Sequence, residues 1–214
     1  APGQDLPKYT VAMQAAVASL NSSEAQTVGP SDGSFQQHSQ DFVFGAAEIR
    51  GLKTFFGRGQ CYYCHMPPHF TDSLYHATGI SQLEYDSIHG AGEFMKVQVP
   101  SWTERNQHPD LYLPSNANNV NGVAPFSQPA QAADKNKTDL GLWNMFGNPT
   151  VPQPQQALTL LMCNVLYLPC TEISVQESLL AKTIARFKTP TLRNLGHSAP
   201  YFHNGAAVDL QHAV

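Results

Sequence analysis

The chain has 214 residues, of which 42% are hydrophobic and 13% charged, with a formal net charge of −4. That length suits one large domain or two small ones. There is no run of Lys or Arg and no acidic tail, so nothing recommends nucleic acid or an anionic membrane surface as a partner. No apolar run approaches the ~20 residues that a membrane-spanning helix needs.

Taken in order, residues 5–26 place Tyr9, Met13, Val17 and Leu20 at helical spacing, which predicts an amphipathic helix. Gly29-Pro30-Ser31-Asp32-Gly33-Ser34 breaks it. A second helix is expected over 45–57, with Ile49, Leu52, Phe55 and Phe56 on one side and Gly57 and Gly59 at its end. It runs straight into Cys61-Tyr62-Tyr63-Cys64-His65, and Pro67-Pro68 then force an extended exit. From Ser81 to Pro154 Gly, Asn, Pro and Gln dominate and no period persists, so long surface loops are expected. Helical spacing returns at Ala157–Leu168 and at Val175–Arg186, with Pro169 between them. The tail from Phe187 reads as loop, with a last helix starting in Val208–Val214. Cys61 and Cys64, separated by two residues and followed by His65, have the attachment pattern of a c-type haem, so the fold expected is mainly α, a cytochrome c-like haem domain with long irregular loops. Residues 1–44 form an N-terminal helix and linker, and residues 45–214 form one domain with a loop-rich insert around 81–185.

Two cysteines separated by two residues and followed at once by histidine are the attachment signature of a c-type haem. Each thiol adds across one vinyl group of the ring to make a thioether, and the two intervening residues span the distance between the vinyls. His65 then lies under the iron as the proximal imidazole. The same pair could be a redox dithiol or half of a zinc site, but a zinc ribbon needs a second close pair. The cysteines left over, Cys163 and Cys170, are more widely spaced. In an oxidising compartment they can close a short disulfide loop, the alternative being two buried thiols. Haem c is attached outside the cytoplasm, so a periplasmic or otherwise extracytoplasmic location is expected. The opening Ala1-Pro2-Gly3 carries no basic or apolar leader, so a signal peptide is expected to be removed or to lie upstream.

The tail reads Phe187-Lys188-Thr189-Pro190-Thr191-Leu192-Arg193-Asn194 and then Ser198-Ala199-Pro200-Tyr201-Phe202-His203-Asn204-Gly205. With Cys61–His65, Phe70-Thr71-Asp72, His76, Gly79 and Thr138-Asp139-Leu140-Gly141, it resembles the C-terminal haem domain of the bacterial di-haem cytochrome c peroxidase/MauG family. The likeness is dense over 45–80 and 186–214 and thin between. It implies one covalent haem c that relays electrons, with Arg193, Tyr201 and His203 on the haem side. Arg193 could pair with a propionate or with loop carbonyls, and His203 could bond a propionate or anchor the loop. Calcium binding through the carbonyls of Ser198 and Pro200 is also implied, although the family's side-chain calcium ligand belongs to the other half.

The family's peroxide-reactive haem lies in an N-terminal half, and that half's Cys-x-x-Cys-His is missing here. For the haem of this chain the family's sixth iron ligand, Met or Tyr, would fall past Val214, so the chain is expected to stop short of it. Met66, Met95, Met145 and Met162 are candidates by residue type alone, and Trp102 and Trp143 suit packing as well as hole relay. The expected function is that of the electron-transfer domain of a peroxide-dependent, peroxidase/MauG-like oxidoreductase. Its partners would be a second haem domain or redox protein and a small electron-donor protein. A stand-alone mono-haem electron carrier and a peroxide-reactive haem with an open distal face are the rival readings.

Overall fold

A computed structural model describes residues 6–20, 26–28, 42–151 and 172–214. The chain divides into two compact units. The first holds residues 1–74 with 189–195, the second residues 75–188 with 196–214.

In the first unit, helix α1 spans Leu6–Ser19 and helix α2 spans Ala46–Phe56. Between them β1 (Gln26–Val28) pairs antiparallel with β2 (Phe42–Phe44). Helix α2 starts where Glu48 folds back to accept a hydrogen bond from the Gly45 amide at 2.9 Å, satisfying a donor the helix itself cannot. Its own backbone amide and that of Gly45 hold the Glu48 carboxyl below its usual range. Val17 of α1 and Ile49 and Phe56 of α2 are buried, each contributing roughly 1.5–3 kcal/mol. The Gln14 amide donates to the Phe56 carbonyl at 2.7 Å and binds α1 to the end of α2. That end is sharp because Gly59 donates back to the Thr54 carbonyl at 2.8 Å. A Cβ at Gly59 would lie 2.7 Å from that same oxygen, so only glycine fits.

The second unit begins with β3 (Tyr75–His76), paired antiparallel with β6 (Phe187–Lys188). Helix α3 (Ile80–His89) follows, then α4 (Trp102–Gln107) and α5 (Pro109–Tyr112). Ser101 caps α4 by accepting from the Glu104 amide at 3.1 Å. The hairpin β4 (Pro114–Asn116) and β5 (Asn119–Val123) comes next, then α6 (Ile173–Ala181) and a terminal α7 (Leu210–Ala213). Leu113, Phe126, Leu140, Leu142, Trp143, Phe146, Leu179 and Leu180 form its core. Arg105, wholly buried, lies 5.1 and 4.9 Å from the rings of Trp102 and Trp143. It donates to the carbonyls of Trp143 and Phe146 at 2.6 and 2.8 Å. Desolvation pushes this guanidinium down to about 9, and the rings and carbonyls offset that cost. Beside it Gly147 sits at φ +56° with the Trp102 ring where a Cβ would be.

The expected mainly α, cytochrome c-like domain with long irregular loops is therefore corrected. Helix covers 42% of the described residues and strand 12%, the strands lying in three two-stranded sheets. The Asn-rich text expected to be surface loop instead surrounds the densest core. Its physical reason lies in the side-chain amides, which take the place of ladder partners for irregular backbone. Asn119 Nδ2 donates to the Pro109 and Leu113 carbonyls at 2.9 and 3.2 Å, and Asn144 Nδ2 to Phe126 at 2.7 Å. Asn148 Oδ1 accepts from both the amide and the hydroxyl of Thr150 at 2.8 Å. Two helix limits also shift. The first helix stops at Ser19, and the helix expected over 175–186 runs from Ile173 to Ala181. Thr183 Oγ1 donates to the Leu180 carbonyl at 2.6 Å and Ala185 turns to φ +53°, which stops the second of these. The helix expected at 157–168 and the Cys163–Cys170 pairing lie outside the described residues.

Candidate functional site

The site is built on the turn that follows α2. Gln60 at φ +56° redirects the chain into a short 3₁₀ turn, Cys61–Tyr63. The His65 amide then donates to the Cys61 carbonyl at 3.0 Å. A four-residue step of that kind brings Cys61 and His65 to one side of the turn, with Cys64 beside them. Both thiols are free and half-buried. Burial pushes the Cys64 thiol up, and the neighbouring Asp72 carboxylate adds to the effect.

His65 Nδ1 lies 3.1 Å from the Phe70 carbonyl oxygen. A carbonyl only accepts, so Nδ1 carries the proton and Nε2 keeps its lone pair for a metal. The Asp72 amide donates to the Cys64 carbonyl at 2.8 Å and the Thr71 amide to Met66 at 3.2 Å, closing the loop around fully buried Pro67.

The returning tail segment laces this loop in place. Thr189 donates to Leu74 at 2.9 Å and Leu192 to Phe70 at 3.3 Å through their amides. Thr71 Oγ1 donates to the Thr189 carbonyl at 2.7 Å, and Thr191 Oγ1 to the His69 carbonyl at 2.6 Å. Arg193 Nη2 donates to the Pro68 carbonyl at 2.6 Å. The two stretches richest in the family resemblance meet here through hydrogen bonds.

These residues fit a c-type haem. Two unpaired thiols flank two residues, and the adjoining imidazole is fixed in its ligand tautomer by a backbone carbonyl.

Other expected site residues belong to the second unit. Tyr201 pairs through its backbone with Ala207. The His203 ring stacks on Phe187 at 3.5 Å and 9°, and its Nε2 lies 3.3 Å from Ser81 Oγ. Burial lowers His203 against the pull of Asp139 and Glu84, and burial raises Asp139 itself. Ser198 and Pro200 are exposed. Met95 is 77% exposed and Met145 packs on the core, while Met162 lies outside the described residues. Trp102 and Trp143 are packing partners of Arg105.

Two features escaped the sequence reading. The threonine lacing joins residues more than a hundred positions apart, and Arg105 stands in a stretch without period. Compared with protein-family models, curated proteins and solved structures, the chain matches none. Among the described residues no helix is long and apolar enough to cross a membrane.

Proposed function

We propose that this chain carries one covalent haem c and serves as the electron-relay half of a peroxidase/MauG-like oxidoreductase working outside the cytoplasm. The observation that supports it most is His65 Nδ1 at 3.1 Å from the Phe70 carbonyl oxygen, which leaves Nε2 for a metal on the same turn as two cysteines outside any disulfide. When bound, the haem supplies a one-electron couple at its iron. Cys61 and Cys64 would hold the ring through two thioethers, and His65 would ligate the iron, with the Phe70 carbonyl, accepting from Nδ1, making that imidazole a stronger donor. Thr71, Thr191 and Arg193 keep the loop from shifting as the charge at the site changes.

Peroxide chemistry and the second haem belong to a partner domain on this reading. The test is redox titration of the haem-loaded chain with peroxide turnover measured alongside. One electron is taken up per chain, and peroxide is consumed with a reduced donor only when a second haem domain is supplied. Steady turnover by the chain alone would overturn the relay assignment in favour of a peroxide-reactive haem.

A further inference from the structure

On the first unit, the loop that carries Cys64 also brings a carboxylate to its side. An oxygen of Asp72 lies within 4.8 Å of Cys64 Sγ. The place of that carboxylate is fixed from two directions. The Asp72 amide donates to the Cys64 carbonyl at 2.8 Å, and the Leu74 amide donates to Asp72 Oδ1 at 2.9 Å. Ser73 between them stands at φ +59°, and its amide donates to Thr71 Oγ1 at 2.9 Å. That hydroxyl donates in turn to the Thr189 carbonyl at 2.7 Å, which ties the turn to the tail segment.

Among the described residues of the first unit the acids are Glu48 and Asp72. Glu48 accepts from the Gly45 amide at the start of α2. Asp72 is half-buried beside the sulfur, where water screens its charge less than it screens a surface acid.

We infer that Asp72 sets the potential of the haem-loaded site, its fixed negative charge favouring the oxidised state. This rests on the haem reading above and names a control on that same site. Cys64 Sγ is the atom that would be bonded to the ring, so a charge held within 4.8 Å of it acts on the ring's own charge. Ferric iron carries one more positive charge than ferrous iron, and a nearby anion therefore stabilises the ferric state more. The Phe70 carbonyl works in the same direction, because an imidazole made more basic through Nδ1 also favours ferric iron. A relay whose potential is held down passes its electron on more readily.

The test is a spectroelectrochemical titration of the haem-loaded chain and three variants. Asp72→Asn keeps an oxygen for the Leu74 amide and removes only the charge. It is expected to raise the ratio of reduced to oxidised haem roughly tenfold at a fixed potential, an upward shift of about 59 mV for one electron. Asp72→Ala, which loses the bond as well, moves the midpoint the same way, with faster exchange of the Leu74 amide. Glu48→Gln, the same charge change elsewhere in the unit, leaves it in place. An unmoved midpoint in Asp72→Asn would overturn the inference. So would a shift in Asp72→Ala alone, which would assign the effect to the turn, or an equal shift in Glu48→Gln. A chain that takes up no haem c overturns the function proposed above together with this control, whereas a haem-loaded chain indifferent to Asp72→Asn overturns only the control.

Discussion

The loop from Cys61 to Leu74 in the first unit and the stretch from Pro109 to Val151 in the second are both largely irregular, yet they are held by different means. The first is fixed from outside by a distant segment, Thr189 to Arg193, through threonine hydroxyls, a guanidinium and backbone amides. Its chemistry-bearing side chains stay half-buried. The second is fixed in large part from within, by asparagine amides on its own carbonyls, and by an aromatic core around Trp143 that Arg105, Leu179 and Leu180 complete. Irregular backbone therefore has two routes to order, and only the second is built around a hydrophobic core.

The strongest way to break this contrast is Trp143→Ala, which removes a ring that is 1% exposed and the floor beneath Arg105. A loss of about 3–5 kcal/mol is expected in denaturant unfolding of the second unit. A loss below about 1 kcal/mol would mean that the core around Trp143 is not what holds the stretch. Next comes Arg105→Met, which strands the Trp143 and Phe146 carbonyls at a cost of about 2–3 kcal/mol. An unchanged denaturation midpoint would show that the guanidinium is dispensable. Thr191→Val, in the first unit, removes the bond to the His69 carbonyl and should cost about 1 kcal/mol. The effect should appear as faster amide exchange at Thr71 and Asp72, with exchange around Trp143 unmoved.

The smallest effect concerns pH. Burial raises the Asp139 carboxyl, so the folded chain binds its proton more readily than the unfolded one. Its contribution is fully present below the ordinary carboxylate range and is lost as pH rises through the raised value. Asp139→Asn keeps an oxygen for the Gly141 amide, which donates at 2.8 Å, and should therefore stabilise the second unit at neutral pH but not in acid. An identical gain at both pH values would refute that cause.

How much of this could be read from the residues differs between the two regions for the same reason. The Cys61–His65 motif can be picked out by its spacing alone, and α2 is visible in the periodic Ile49, Leu52, Phe55 and Phe56. Thr189–Arg193 was legible only as a likeness, since nothing local says that Thr191 reaches His69. The core around Leu113, Phe126 and Trp143 was hidden. Its apolar residues fall at no fixed period, and asparagine, which ordinarily marks a turn, is used there to satisfy buried carbonyls. The fold class failed on that point.

The most direct test of the account is the intact mass and alkaline pyridine spectrum of this chain exported from cells equipped to attach haem c. The account predicts the mass of one haem, stable to denaturation and confined to the peptide bearing Cys61 and Cys64, with attachment lost in the Cys61→Ala, Cys64→Ala double variant. Unmodified chain, or a Cys61–Cys64 disulfide in its place, would contradict it.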